Sequence, residues 1–225
     1  YLMLNNLSKR ILTSILLLFL LIFVNFSFLF KIVLFVISFL LFLEFRNIFK
    51  KIFAKHLNKN NKDIKYFILN SFVFFYLFLI FATTSIELHD TIGSSILFLF
   101  IISICILSDI GGYVVGKIIG GKKLTKISPN KTISGTIGSF IFSLFSLIIF
   151  ENFFNYSIEL NINAIIFTLI ISLVSQLGDL IISYLKRMAK IKDTGSLLPG
   201  HGGILDRLDG IIFAIPFSYL LIKFF

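Results

Sequence analysis

Long apolar runs separated by short polar segments dominate this chain. Several runs approach the roughly 20 residues that a helix needs to cross a hydrocarbon core of about 30 Å. Seven can be drawn, at residues 11–28, 30–46, 66–84, 94–115, 132–150, 163–184 and 208–225. The pattern predicts an all-α, polytopic integral membrane protein, a helical bundle of about seven transmembrane helices.

The composition supports this interpretation. Hydrophobic residues make up 57% of the 225 residues, the mean hydropathy is +1.00, and only 14% of residues are charged, whereas soluble domains carry about 25%. A water-soluble core is therefore excluded. The single cysteine, Cys105, lies in an apolar run, so neither an intramolecular disulfide nor a cysteine metal site is expected. The first apolar run lacks a small-residue cleavage site, and we expect it to remain as an anchor.

The positive charges follow a topological pattern. Of the 21 basic residues, all but Lys31 and Lys223 fall in residues 9–10, 46–65, 117–131 and 186–207. The connections 85–92 and 151–162 contain acidic residues and no Lys or Arg. The positive-inside rule then places the N-terminus and the three basic connections in the cytoplasm and the C-terminus outside. The localisation expected is multi-pass in the inner (plasma) membrane.

Nucleic-acid binding is the competing explanation for a net charge of +10. The cations are confined to segments that flank apolar runs, and no recognition motif with interleaved aromatic residues accompanies them. We therefore expect no nucleic-acid partner. Anionic lipid headgroups are a better match for the basic connection 46–65, since membrane lipids attract juxtamembrane lysines.

Acidic residues inside apolar runs are energetically costly and point to function. Asp109 ends the fourth run, and Asp179 lies near the cytoplasmic end of the sixth. Helical spacing predicts that Asp179, Ser183, Lys186 and Lys190 share one face, and that Asp206 and Asp209 share another. Carboxylates at helix ends beside a glycine-rich turn suit Mg²⁺, which is bound through one or two carboxylates and substrate phosphates.

Two polar segments carry the remaining candidate chemistry. Residues 199–203 read PGHGG, where glycines let backbone amides approach an anion. Ser128 followed by Pro129 predicts an N-cap and first turn for the fifth helix, with Lys131, Thr132 and Ser134 at its entrance. The glycines and lysines at 120–123 do not have P-loop spacing, which argues against a conventional ATPase.

These residues resemble a known family. The pattern comprises Ser183, Lys186, Arg187, Lys192, Asp193, Pro199, His201, Gly202, Gly203, Asp206, Arg207 and Asp209. It is similar to the long signature of the phosphatidate cytidylyltransferases, also called CDP-diacylglycerol synthases. Shorter blocks at Ser108–Asp109 and Ser128–Pro129 look like the same family, but Ser134 stands where an acid is expected and Gly112 where Ala is usual.

The resemblance implies that CTP and phosphatidic acid react at the cytoplasmic face to give CDP-diacylglycerol and pyrophosphate, with Mg²⁺ as cofactor and a second metal ion left open. It makes Asp179 and Asp206 the metal ligands. The other catalytic residues implied are Lys186, Arg187, Arg207 and Asp209. The substrate-binding residues implied are Asp109, Ser128, Lys131, Thr132, Ser183, Lys192, Asp193, His201, Gly202 and Gly203.

The resemblance covers about residue 100 to the end, and homodimers are frequent in such a family. We therefore interpret residues 1–225 as a single membrane domain, with N-terminal helices and a basic loop over 1–92 and catalytic helices and loops over 93–225. Two other functions stay open. A CTP-dependent kinase of a polyprenol or other lipid alcohol would release CDP, and a transporter would show broken midplane helices and repeat symmetry.

Overall fold

The structure, a computed structural model, describes residues 29–56, 59–90, 95–125, 127–154, 161–197 and 202–224. Its helices are α1 (Phe30–His56), α2 (Lys59–Phe75), α3 (Ala82–Asp90), α4 (Ser95–Ile119), α5 (Ile133–Phe154), α6 (Ile162–Met188), α7 (Leu205–Leu208) and α8 (Ile211–Phe224), with a π-helical turn (Tyr76–Phe81) joining α2 to α3. The described residues contain no strand, and an isolated bridge joins Lys123 to Thr132. The all-α prediction is confirmed.

Among the described residues, five helical stretches are long and apolar enough to cross a membrane. They are Phe30–Ala54, Asp63–Asp90, Ser95–Ile119, Ile133–Phe153 and Ile162–Met188. Each overlaps one of the seven predicted runs. The predicted run 11–28 lies outside the described residues, and the predicted run 208–225 contains α8, whose 14 residues span about 21 Å at 1.5 Å per residue. The count of seven and the cytoplasmic N-terminus stay predictions.

The basic connection 46–65 differs from the sequence interpretation. It was expected to be a loop, but α1 continues to His56 and α2 begins at Lys59. Lysine and arginine have high helix propensities, so a basic segment can extend a helix beyond its apolar part. The charge pattern therefore marks the polar ends of two helices.

The chain divides into two compact units, each made of two stretches of sequence. The first comprises Tyr1–Thr83 and Leu185–Leu208, and the second comprises Thr84–Tyr184 and Asp209–Phe225. In the first unit, Leu41, Ile48 and Leu77 are fully buried. Phe42 of α1 meets Phe74 of α2 edge-on, with ring centroids 5.5 Å apart. The single-domain interpretation stays a prediction.

In the second unit, glycines bring α4 and α5 into backbone contact. A Cβ added at Gly112 would lie 2.6 Å from Ser139 Oγ, and one added at Gly135 or Gly138 would lie 2.7 Å from a carbonyl oxygen of α4. Small residues allow apolar helices to approach this closely. The packing therefore fixes the two ends of the connection 120–132.

Helix α6 joins the second unit through small polar residues. Ser108 Oγ of α4 lies 3.0 Å from Ser172 Oγ of α6. A Cβ at Gly178 would lie 2.9 Å from the carbonyl oxygen of Asp209, so the start of α8 passes directly against α6. Such buried hydroxyls and glycines replace the large apolar side chains of a soluble core.

Candidate active site

The carboxylate of Asp206 is the centre of the first cluster. Its Oδ1 accepts a hydrogen bond from Lys186 Nζ at 2.8 Å. Its Oδ2 accepts from the backbone N–H of Thr194 at 2.8 Å, from Thr194 Oγ1 at 3.0 Å and from the N–H of Gly203 at 3.0 Å. The Asp206 side chain is only 8% exposed. The structure thus brings together Lys186, Gly203 and Asp206, which are all among the predicted site residues.

These donors set the electrostatics of Asp206. Burial by itself raises the pKa of this carboxyl, because it disfavours the charged form. The Lys186 ammonium and the N–H groups of Gly203 and Thr194 outweigh burial and hold the pKa below its ordinary value. Asp206 is therefore an anion across the neutral range.

Glu44 of α1 is a member of the same cluster that sequence reasoning missed. Its side chain is buried, with 3% of the residue exposed. Glu44 Oε1 accepts from the N–H of Ile204 at 2.9 Å, and Oε2 accepts from the N–H of Leu205 at 2.9 Å and from Thr194 Oγ1 at 2.6 Å. An acid inside an apolar run was the available signal, the same one that singled out Asp109 and Asp179.

We call residues 189–204, which connect α6 to α7, the signature loop. At two of its positions there is no room for a residue larger than glycine. Gly202 has a φ of 84°, and a Cβ there would lie 2.8 Å from Asp206 Oδ2. A Cβ at Gly203 would overlap Thr194 Oγ1 and both carboxylate oxygens of Glu44. The loop closes around the two carboxylates only because these positions lack side chains.

The end of α6 places Lys186. Ile191 N–H donates to the carbonyl oxygen of Lys186, and Lys190 N–H donates to that of Arg187, both at 3.0 Å. This pair of bonds is a Schellman motif, with Lys190 in the left-handed region at φ 56°. The motif ends α6 at Met188 and turns the chain back. Lys190 therefore does not continue the helical face of Asp179, and that prediction is wrong.

A second cluster lies in the second unit. Lys131 Nζ forms an ion pair with Asp179 Oδ2, and Ser183 Oγ donates to Asp179 Oδ1 at 3.2 Å. The side chains of Lys131 and Asp179 are 29% and 22% exposed. The predicted site residues Lys131, Asp179 and Ser183 thus converge. Because Asp179 and Asp206 belong to different units, their shared metal stays a prediction.

The entrance of α5 corrects the predicted cap. The N-cap is Thr132, whose Oγ1 accepts from the N–H of Gly135 at 3.1 Å and whose carbonyl oxygen accepts from Thr136 N–H. Ser128 instead forms a turn in which its carbonyl oxygen accepts from Lys131 N–H at 3.1 Å. The hydroxyl of Ser134 donates to the carbonyl oxygen of Gly120. This tertiary bond and the bridge between Lys123 and Thr132 delay the helix start to Ile133.

Other predicted site residues lie on the surface of their units. The exposed ones are Asp109, Arg187, Lys192, Asp193 and Arg207. Asp209 lies in the turn between α7 and α8, where its Oδ1 accepts from Gly210 N–H at 3.0 Å. The sequence predicted that Asp206 and Asp209 share one helical face. They do not, because α7 ends at Leu208. His201 lies outside the described residues.

The two aspartates can be tested as ligands for Mg²⁺. The described residues contain no group of three or more His, Cys, Asp or Glu side chains able to hold a metal ion. Asp206 Oδ2 carries three donors, but Asp206 Oδ1 and both oxygens of Asp179 carry one each in the described parts of the chain. A carboxylate oxygen has two acceptor positions. Each aspartate therefore fits Mg²⁺ as a single ligand, with phosphates or water completing the coordination.

Comparison with known proteins shows a family relationship over nearly the whole chain. Residues 3–225 match the cytidylyltransferase family. The chain belongs to this family. The resemblance seen in the sequence is thereby confirmed.

Individual members of the cytidylyltransferase family are similar over shorter stretches. The phosphatidate cytidylyltransferase of Bacillus subtilis (strain 168) is 42% identical over 142 residues, which are 62% of this chain and 52% of the relative. That of Staphylococcus aureus (strain COL) is 47% identical over 120 residues, covering 52% of this chain and 45% of the relative. That of Staphylococcus saprophyticus is 44% identical over 117 residues, with 52% and 45% covered. The chain spans about half the length of the curated relatives it matches.

Proposed function

We propose that this chain transfers the cytidylyl group of CTP to phosphatidic acid, giving CDP-diacylglycerol and pyrophosphate. The observation that carries the proposal is the signature loop, which closes around the carboxylate of Asp206 with Lys186 beside it. Membership of the cytidylyltransferase family supports it, as do relatives named phosphatidate cytidylyltransferase. The five apolar helices suit an enzyme whose lipid substrate lies in the membrane.

In the reaction, an oxygen of the phosphatidate phosphate attacks the α-phosphorus of CTP. The new oxygen–phosphorus bond forms as the bond to the β-phosphate oxygen breaks, and pyrophosphate leaves with the electron pair. No general base is needed, because a phosphate monoester is already anionic near neutral pH. Catalysis then depends on positioning and on neutralising charge.

The lysines of the two clusters would supply part of that charge. Lys186 pairs with Asp206, and Lys131 pairs with Asp179. We propose that both ammonium groups shift onto substrate phosphates, which leaves Asp206 and Asp179 available to a cation. Mg²⁺, when bound, would neutralise charge on the departing pyrophosphate. Arg187, Lys192 and Arg207 are exposed and are proposed to contact phosphate oxygens.

The proposed orientation places this chemistry at the cytoplasmic face of the plasma membrane. The support is the positive-inside pattern, with the basic connections 117–131 and 186–207 on that side. CTP would reach the loops from the cytoplasm, and phosphatidic acid from the membrane. A homodimer remains part of the proposal, to be tested by the mass of the purified complex.

Purified protein in nanodiscs, supplied with CTP, phosphatidic acid and Mg²⁺, tests the function. We expect stoichiometric pyrophosphate and CDP-diacylglycerol, with Asp206→Asn inactive. Asp63→Asn is the matched control, because Asp63 is an exposed residue of α2 outside both clusters. Release of CDP in place of pyrophosphate, with a polyprenol as acceptor, would instead identify a lipid-alcohol kinase.

A further inference from the structure

Glu44 stands out among the buried polar residues of the first unit. It lies in α1, within the candidate membrane span Phe30–Ala54, where a carboxylate is costly and is a functional candidate by default. Its three hydrogen-bond donors are separated from it by at least 150 residues in sequence. All three belong to the signature loop or to the first residue of α7. The proposed reaction described above assigns Glu44 no role.

The contacts of Glu44 lead directly to Asp206. Thr194 Oγ1 lies 2.6 Å from Glu44 Oε2 and 3.0 Å from Asp206 Oδ2, so its single proton is shared between the two carboxylates, with Glu44 the nearer acceptor. The N–H groups of Ile204 and Leu205 bind Glu44, while that of the preceding Gly203 binds Asp206. Consecutive amides of one short segment are thus divided between the two acids. Moving Glu44 would move the donors that hold Asp206.

We infer that Glu44 is a positioning residue for the proposed cytidylyl transfer, acting on Asp206 through Thr194 and the amides of residues 203–205. The expected change in kcat rests on the proposed function. The expected change in the structure around Asp206 does not. It assigns α1 a part in the active site, although the family resemblance began near residue 100. Removing the partners that orient a metal-ligating carboxylate commonly lowers metal affinity or activity by about 10- to 100-fold.

The primary variant is Glu44→Gln, which keeps the side-chain volume but replaces one acceptor oxygen with a donor. At least one of Ile204 N–H, Leu205 N–H and Thr194 Oγ1–H then loses its acceptor. Hydrogen exchange of the peptide covering residues 202–208 should accelerate by about tenfold or more, because bonds to charged groups are among the stronger ones. This measurement requires no substrate. Unchanged exchange in this peptide would overturn the inference whatever the enzyme does.

The kinetic test separates positioning from folding. For the folded fraction of Glu44→Gln, kcat should fall about 10- to 100-fold with the KM for phosphatidic acid nearly unchanged. Glu44→Asp, which keeps the charge, should recover part of the loss. Glu151→Gln is the control, since Glu151 is an exposed acid of α5. A wild-type kcat per folded molecule would show that Glu44 serves only the fold and would refute the proposal.

Thr194→Val tests the hydroxyl that contacts both carboxylates. It replaces Glu44→Gln as the test variant if Glu44→Gln does not fold. It removes one hydroxyl at similar volume, and Thr168→Val is its control because buried Thr168 bonds only within its own helix, to the carbonyl oxygen of Ala164. The loss of kcat in the double variant Glu44→Gln/Thr194→Val should be smaller than the product of the single losses. Independent, multiplicative losses would overturn the coupling. If the wild-type protein lacks cytidylyltransferase activity, only the proposed function fails, and hydrogen exchange still decides the structural inference.

Discussion

Replacing Gly203 with alanine should disrupt the candidate active site around Asp206. The added methyl would overlap Thr194 Oγ1 and would lie 2.6 Å from Glu44 Oε1, closer than real Cβ contacts. These neighbours cannot yield independently, because Thr194 Oγ1 bonds to both Glu44 and Asp206. The loop must therefore open, which breaks the bond from Gly203 N–H to Asp206.

The size of the effect follows from the bonds at risk. Two hydrogen bonds to charged groups are lost, from Gly203 N–H to Asp206 and from Thr194 Oγ1 to Glu44. The loss costs about 3–6 kcal/mol, at about 1.5–3 kcal/mol each. Since about 1.4 kcal/mol corresponds to a factor of ten, we expect Gly203→Ala to lower turnover by at least about 100-fold. The assay is CTP-dependent formation of CDP-diacylglycerol by purified protein in nanodiscs, with the folded fraction measured in parallel.

Gly120→Ala provides the comparison. Gly120 has a φ of 65°, but no heavy atom lies within 4 Å of the position where its Cβ would be. Alanine there incurs only the left-handed backbone cost of roughly 1–2 kcal/mol. Turnover should therefore stay much closer to that of the wild type. If Gly203→Ala were as active as Gly120→Ala, the close packing of the signature loop around Glu44 would be refuted.

Three further predictions concern stability. Lys190→Gly should raise the melting temperature by about 2–4 °C, because about 1 kcal/mol of left-handed strain at the end of α6 is relieved. A melting temperature below that of the wild type in a thermal-unfolding scan would count against the Schellman motif. Gly138→Ala should lower the free energy of unfolding by about 1–3 kcal/mol by separating α5 from α4, where its Cβ would lie 2.7 Å from the carbonyl oxygen of Gly111; unchanged stability in detergent would contradict the backbone contact. Lys186→Met should raise the pKa of Asp206 by removing an ammonium that lowers it. Because a lowered folded-state pKa gives stability that is lost as pH falls through it, acid unfolding without metal should begin at a higher pH in this variant than in the wild type.

Much of both clusters could be predicted because the relevant signals are local. The spacing of charges and glycines in residues 183–209 is enough to identify Lys186, Gly202, Gly203 and Asp206 as candidates. Asp179 was found because a carboxylate in an apolar run is costly. The same rule applies to Glu44, but Glu44 lies before residue 100, where the family resemblance begins.

The remaining features depend on tertiary contacts. The donors to Glu44 are mainly backbone amides, which every residue except proline carries, so no side-chain pattern marks them. Ser128–Pro129 is a sound local cap signal, yet the tertiary bond from Ser134 to the carbonyl oxygen of Gly120 moves the helix start to Ile133. Helix α6 likewise ends at Met188 through a motif formed without glycine, which its sequence does not indicate.

The backbone contact between α4 and α5 also has an entropic consequence for the connection that carries Lys131. A Cβ at Gly116 would lie 3.0 Å from Thr132 Oγ1 and 3.4 Å from the Cα of Gly135, so the contact extends to the base of this connection. Bringing the two ends of a loop together costs entropy. Here the packing of α4 against α5 already holds the two ends of the connection together. The proposed contact of Lys131 with a substrate phosphate would therefore cost little further chain entropy.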